Sequence, residues 1–571
     1  MQHRAARLGA CTWLLLSFLP AATKADVAGP MAAHAELEVV HAYLRSRAVS
    51  DTGTAHAFLH NRSAVPIEIK TVSVEPMDSA GRPTVEQLVA EATSGDAAEA
   101  PLLWWLARPN PVPPGGFSDV AAKLSQRPDR KLKVRIVSSV EPALHVDYDR
   151  INDGLWLTCI GFSSRLDTVY LYVENRLDVS VTLQHVRINA QDVTGRSRFL
   201  WKEVAPKRKA CVVVPLREPI EPGAIVLADV QANHELARCA ELVRGFSVFP
   251  ITWLDGSLPV GLAHTPDQLM KYRHGYVPAE GVRGIENIMR CPAHAHGTRR
   301  NAAARFIRRY ADLMQAEPRV PGMMYVCRWE KEVNYFTFGE LGDFVRIMPL
   351  AESVCYESDP LNHRVQWLTA LGVRAAAPRP AHAVIPIRFA DSYQWERSCT
   401  PEEIRAMIYL PISRAAKGIC YGAKQPGLTA EAAAALEQVT RELLRLRPYL
   451  PFAEYLSIGR TDKEDVEAAC LLAGDQAVIL LVINHSMGDF GNDKQLVCRT
   501  RRDVTSTIEL PPGLRVTAVT DVMEPERFPD WQQSRACVQV RTAQLGVVRP
   551  YLVQLEQGAA GLSPLHEGGA P

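Results

Sequence analysis

Within Pro380–Pro448, an apolar run, Ala383-Val-Ile-Pro-Ile-Arg-Phe389, leads into a polar and aromatic loop, Asp391-Ser-Tyr-Gln-Trp-Glu-Arg397. Thr400-Pro401-Glu402-Glu403 then reads as a helix start: an N-cap, a proline at the first helical position and a capping-box glutamate. Ile404, Met407, Ile408, Ile412 and Ala415 recur at helical spacing and predict one buried face. Lys417-Gly-Ile-Cys-Tyr421 is a second short buried strand. Thr429 opens a second helix, with Leu436, Val439, Leu443 and Leu446 on one side, which Pro448 stops. Strand, loop, helix, strand, loop, helix is the alternation of a β/α architecture with parallel strands. In such folds the working residues sit on loops leaving the C-terminal ends of the strands.

The same texture extends upstream to Phe246. Short apolar runs recur at Ser247–Ile251, Pro259–Ala263, Asn287–Cys291, Met323–Cys327, Phe344–Met348, Val384–Ile387 and Gly418–Tyr421, with Gly275–Val277 as a candidate eighth. An amphipathic helix is predicted over Ala302–Met314. The polar and aromatic loop, the Thr-Pro-Glu-Glu helix, Ala415-Ala-Lys-Gly-Ile-Cys-Tyr421 and the closing Leu-Arg-Pro-Tyr-Leu450 together resemble the last β/α units of glycoside-hydrolase-like TIM barrels. The resemblance covers roughly residues 246–455. It implies a (β/α)8 barrel there, followed by a β-sandwich.

Upstream, His60-Asn61-Arg62 is followed by Val65, Ile67, Ile69, Val72, Val74 and Gly81. Glu174-Asn175-Arg176 is followed by Val179, Val181, Leu183, Val186, Ile188 and Gly195, each 114 positions on. Ungapped correspondence with period-2 alternation predicts two copies of one immunoglobulin-like β-sandwich. Asn at the turn reads as structural, because Asn tolerates turn backbone and bonds locally. After Leu450 the period returns to two, at Gln476–Ile483, Leu514–Val519 and Leu552–Leu555. The expected organisation is a signal peptide over 1–25, β-sandwiches over 36–150 and 151–245, the barrel over 246–455, a C-terminal β-sandwich over 456–557 and a disordered tail over 558–571.

Composition narrows the classes. At 571 residues the chain is too long for one core. With 47% hydrophobic and 22% charged residues and a net charge of +1, it is ordinary globular protein with no basic run to meet nucleic acid. Arg4 and Arg7, the apolar Trp13–Leu19 and the small residues near Lys24 form a secretory signal too short to span a bilayer. The expectation is export, secreted or periplasmic, with no membrane span. Of 12 cysteines only Cys11 lies in the leader; the others are scattered singly without Cys-x-x-Cys, and several read as small buried hydrophobes. Asn61-Arg-Ser63 and Asn484-His-Ser486 match the N-glycosylation acceptor.

Glycoside hydrolysis needs two carboxyl groups flanking the scissile bond. Glu330, Glu352 and Asp391 each follow a predicted strand. The resemblance points to Asp391 on the penultimate strand as nucleophile or base, where the family usually has a glutamate. Glu330 is then the acid, and Glu332 and Glu396 lie in the same loops. Strand-end acids also serve as caps and solvated loop residues. Trp329, Tyr393, Trp395 and Tyr421, with Tyr276, are aromatic candidates for stacking on a sugar ring or for packing at a rim. Arg388 joins Arg328 and Arg346 on successive predicted strands. Such guanidinium groups either pair with the acids or bind an acidic sugar. Cys291-Pro-Ala-His294-Ala-His296 resembles a metal-hydrolase His-x-His, but two ligands do not complete a sphere, so neither metal nor cofactor is expected. The expected function is hydrolysis of a poly- or oligosaccharide; the alternative is a non-catalytic glycan-binding or surface scaffold protein. The oligomeric state is left open by the sequence.

Overall fold

The computed structural model describes residues 36–46, 53–76, 102–124, 132–148, 152–253, 273–275, 322–326, 353–357, 373, 377–385, 388–389, 397–421, 429–490 and 496–557. Most of these are β-strand. The signal peptide, the helix over Ala302–Met314 and the tail fall outside them.

The N-terminal region is a pair of sheets face to face. One orders the strands Leu37–Ser46, Gly53–Asn61, Phe117–Leu124 and Leu102–Arg108; the other orders Ile69–Pro76, Leu132–Ser138 and Leu144–Tyr148. Alternate residues of both, among them Leu44, Leu59, Val72, Val120 and Ile136, form the core between them. The next region repeats that order: Leu155–Phe162, Thr168–Asn175, Lys209–Pro215 and Arg198–Phe199 in one sheet, and Val181–Ile188, Ile225–Ala232 and Arg238–Arg244 in the other. Its core contains Leu171, Val173, Val186, Val212 and Val230.

Asn61 and Asn175 end equivalent strands and do equivalent work. The Asn61 amide nitrogen donates to the carbonyls of Val65 at 2.7 Å and Val112 at 3.0 Å, and its oxygen accepts from the Ser63 N–H at 2.9 Å. Asn175 donates to Val179 at 2.8 Å and Val204 at 2.9 Å, and accepts from Leu177 at 3.0 Å. Both are fully buried. The side chain therefore supplies the turn with hydrogen bonds that neither ladder nor water provides. Asn484 repeats the device in the C-terminal region, donating to Arg499 at 2.8 Å and Gly546 at 3.0 Å and accepting from Ser486 at 3.0 Å.

The middle of the chain corrects the expectation of a (β/α)8 TIM barrel. Among the described residues it is one six-stranded sheet in the order Ile251–Trp253, Gly418–Tyr421, Ala381–Ile385, Ser353–Glu357, Gly322–Val326 and Arg273–Gly275, every neighbour parallel. Among the described residues its outer strands do not pair with each other, and two α-helices accompany it, α1 (Pro401–Ile412) and α2 (Ala430–Leu446). Alternating apolar runs specify parallel neighbours, which are local β/α choices. Closure depends on tilt and stagger accumulated around a whole ring, and no local pattern encodes that. The runs at Pro259–Ala263, Asn287–Cys291 and Phe344–Met348 lie outside the described residues.

The C-terminal region again has two main sheets, beside a two-stranded ribbon of Met487–Phe490 and Leu496–Cys498. One orders Glu454–Leu456, Val466–Ala473, Ala477–Asn484, Val548–Gln557 and Leu514–Asp521; the other orders Gly459–Thr461, Arg501–Glu509, Cys537–Leu545 and Asp530–Ser534. Every residue of Ala477–Asn484 is buried, since this strand sits inside a sheet covered on both faces. The second region lies close by: the Tyr172 hydroxyl donates to the Leu472 carbonyl at 2.6 Å and accepts from the Gly474 N–H at 2.7 Å. A Cβ at Gly474, whose φ is +54°, would fall 2.2 Å from the Tyr170 ring, so only glycine fits.

Replacing Asn175 with Ala removes a buried side chain that bonds four backbone groups, those of Leu177, Val179, Val204 and Ala205. It should lower the free energy of unfolding by about 2–4 kcal/mol in denaturant titration, whereas Val179→Ala, at an exposed site, should stay within about 0.5 kcal/mol of wild type.

Candidate functional site

The C-terminal ends of the six parallel strands line one edge of the sheet, closing on Trp253, Tyr421, Ile385, Glu357, Val326 and Gly275 in spatial order. Beyond Ile385, Arg388–Phe389 pairs antiparallel with Arg397–Ser398, Arg388 opposite Ser398 and Phe389 opposite Arg397. This ribbon holds both ends of residues 390–396, the stretch containing Asp391, Tyr393 and Trp395. Those three residues, with Trp329, Glu330, Glu352 and Tyr276, lie outside the described residues, as do Glu332, Glu396, Arg328, Arg346, His294 and His296. Arg388 is described as backbone alone. In chain order Glu352 stands directly before the strand Ser353–Glu357, and the run Val345–Ala351 that precedes it lies outside the described residues. Glu357 is the carboxylate-bearing residue that ends this strand.

The helices form as their sequence dictates. The Thr400 hydroxyl accepts from the Glu403 N–H at 3.2 Å while the Glu403 carboxylate accepts from the Thr400 N–H at 2.9 Å. The other Glu403 oxygen accepts from the Leu496 N–H at 3.1 Å, which ties the cap to the C-terminal region. Between the helices, Glu442 accepts from Arg405 at 2.6 and 3.0 Å and from the Tyr409 hydroxyl at 2.6 Å.

Tyr421 lies under this helical layer. It is fully buried, and its hydroxyl is 3.1 Å from Thr440 Oγ1 of α2. Burial pushes its pKa up. Ala383, Ile385 and Ile419 share its face by register, and all three join the core with the helices. His382 falls on the opposite face, fully buried and in register with Gly418. A Cβ at Gly418 would sit 2.2 Å from His382 Nδ1 and 2.8 Å from Pro250 Cγ; the missing side chain is the space the imidazole fills.

A second constellation escaped the sequence reading. Where the first two sheet regions meet, Glu241 accepts from Arg45 at 2.8 Å and from the Tyr43 hydroxyl at 3.2 Å. Asp119 lies 3.0 Å from His56 Nδ1 and accepts from Arg108 at 3.2 Å. Arg379, two residues before a central strand, reaches both acids: Nη2 is 3.8 Å from Asp119 Oδ2 and Nη1 is 3.9 Å from Glu241 Oε2. Arg45 also lies 4.6 Å from the centre of the Trp156 ring. Burial works against the charge of both acids. His56, Arg108 and Arg379 outweigh it at Asp119, and Arg45 and Arg379 outweigh it at Glu241, so both stay below the ordinary carboxylate range. Each is a lone acid in an otherwise apolar strand, Phe-Ser-Asp-Val-Ala-Ala and Cys-Ala-Glu-Leu-Val. That is the one local signal that could have found them.

A general acid needs a carboxyl whose pKa is raised. Among the described residues, every displaced carboxylate is displaced downward, by ion pairs or, at Asp167 and Asp192, by hydrogen bonds from Ser163 and Thr194, so these groups do not donate protons near neutrality. The buried thiols are no better as nucleophiles, since burial pushes Cys159 up to about 11 and Cys211, Cys239 and Cys470 higher. Among the described residues no group of three or more His, Cys, Asp or Glu could hold a metal ion, and no helix is long and apolar enough to cross a membrane.

Comparison with known proteins gives no family. No family model matches, and no curated protein matches. Among solved structures, a bacterial fucosidase with an iminocyclitol inhibitor aligns at 12% identity and a TM-score of 0.25, over 46% of this chain and 64% of its own. An α-L-fucosidase GH29 from Bacteroides thetaiotaomicron aligns at 14% identity and a TM-score of 0.24, over 46% and 62%. A glycosyl hydrolase family 2 member from Bacteroides cellulosilyticus aligns at 8% identity and a TM-score of 0.20, over 89% of each chain. The chain thus spans less than two thirds of either fucosidase. Likenesses this slight assign neither fold nor activity.

One ion pair makes the stability of the central and C-terminal regions depend on pH. Burial opposes the charge of Glu467, but hydrogen bonds from His485 and from both terminal nitrogens of Arg414 bring it down to about 2, from 4.5. A depressed carboxylate stabilises the fold above its unfolded value and loses that contribution as pH falls toward its folded one. Between pH 5 and pH 2.5, wild type should therefore lose more of its unfolding free energy than Glu467→Gln does. Denaturant titrations at both pH values measure the difference.

Proposed function

We propose that the protein is an exported carbohydrate-active protein that hydrolyses a glycosidic bond at the C-terminal edge of its parallel sheet. In this reading Glu330 protonates the leaving oxygen, and Asp391 attacks the anomeric carbon or activates a water. Trp329, Tyr393 and Trp395 stack on the sugar. Glu352, ahead of its strand in the chain, has the weakest position of the three acids. The observation that carries the reading is the antiparallel ribbon of Arg388–Phe389 and Arg397–Ser398. It ties both ends of the stretch with Asp391, Tyr393 and Trp395 directly after a central parallel strand. A carboxylate and two aromatic side chains within five residues of sequence are the elements that sugar recognition and acid/base chemistry need together. The reading uses no metal or organic cofactor.

Screening the purified protein against aryl-glycosides and natural polysaccharides should reveal turnover. Asp391→Asn and Glu330→Gln should each lower kcat at least about a hundredfold with folding unchanged by circular dichroism. Equal turnover by wild type and Asp391→Asn would remove Asp391 from the mechanism. Sugar binding with no turnover by any form would move the protein to the non-catalytic glycan-binding class. Export should leave a mature chain beginning near Asp26, which N-terminal sequencing reads directly.

A further inference from the structure

One outward face of each N-terminal sheet pair is turned away from solvent. Tyr43, Phe58 and Phe117 of the first pack with Leu227, Ala240 and Leu242 of the second in one apolar cluster. Beside this cluster lie three guanidinium groups, Arg45, Arg108 and Arg379, and two carboxylates, Asp119 and Glu241. Each acid already has nearer partners in its own neighbourhood: Arg45 and Tyr43 for Glu241, and His56 and Arg108 for Asp119. Arg379 is the remaining cation. It is buried, its ion-pair contacts are longer than a hydrogen bond, and its two acids stand in different sheet pairs. It arrives from a third place, the segment that leads directly into the strand Ala381–Ile385.

We propose that Arg379 is a latch through which the two N-terminal sheet pairs fix the start of the strand Ala381–Ile385. The N-terminal half is then a positioning element for the parallel sheet and not a separate binding platform. The latch is electrostatic: a cation removed from water is retained only while both acids are charged. Burial, and next to it the Arg108 charge, lower the Arg379 pKa to about 10, so it is charged at neutral pH and pressed by a like neighbour. Losing either acid leaves more buried positive charge than the junction can balance. The strand behind Arg379 holds Gly418–Tyr421 in register, and the Ala381 carbonyl accepts from the Lys417 N–H at 2.6 Å. A displaced Arg379 therefore disturbs two central strands of the sheet. This inference does not depend on the proposed activity.

The test is a charge-balance cycle on the full chain, read by denaturant titration and by hydrogen exchange at the amides of Ala381–Ile385 and Gly418–Tyr421. Glu241→Gln should lower the midpoint and raise exchange at those amides at least tenfold, although the substitution lies in another region. Adding Arg379→Met should restore a substantial part of both, because the uncompensated cation is gone; adding Arg379→Lys, which keeps the charge, should restore neither. Asp119→Asn, paired with the same second substitutions, gives the same reading should Glu241→Gln fail to fold. Additive losses in the Met double variants, or exchange in the parallel sheet indifferent to Glu241 and Asp119, overturn the latch.

Discussion

Two carboxylates taken out of water, Asp119 and Glu241, set the terms on which the N-terminal half of this protein meets the rest. A buried charge is tolerated only beside its opposite, and here the opposites come from three separate parts of the chain. The arrangement is directional in a way that an apolar interface is not. An apolar face alone admits many relative placements, but two acids that both pair with Arg379, one of them also bound by the Tyr43 hydroxyl, admit few. Specificity at this junction therefore comes from charge, and adhesion from the aromatic cluster beside it.

The two helices and the turns were legible in the sequence because their signals are local. The capping box at Thr400 and Glu403 forms as the spacing requires, and Leu436, Val439, Leu443 and Leu446 are buried together. Asn61 and Asn175, aligned by the 114-residue offset, occupy the same place in sheets of the same strand order. What failed was non-local. Among the described residues, six parallel strands in one sheet and two helices stand where a closed ring was expected, since each β/α unit specifies its neighbour and none specifies the circumference. Glu352 itself, with the apolar run before it, lies outside the described residues, and the ladder that follows it runs from Ser353 to Glu357. The ion-pair junction was hidden for the same reason, its members being as distant in sequence as Asp119 and Arg379.

The proposed chemistry and the described carboxylates are consistent through a division of labour. Acids with downward-shifted pKa values, such as Glu467 with Arg414 and His485, join one region to another. A proton-donating acid needs the opposite environment, poor in cations and closed to water. In the sequence, Asp391, Tyr393 and Trp395 fall between Arg388–Phe389 and Arg397–Ser398, outside the described carboxylates.

The buried asparagines also bear on how the protein can be made. Asn61 and Asn484 both stand in sequences that a eukaryotic secretory pathway reads as attachment points for a glycan. Yet each amide nitrogen, the atom that would carry the sugar, is already committed to two backbone carbonyls inside the protein. A sugar installed during translocation would leave those carbonyls without donors and hold the turn open. The same chain passing through a bacterial envelope meets no such competitor, so the two routes of production are not interchangeable for this molecule.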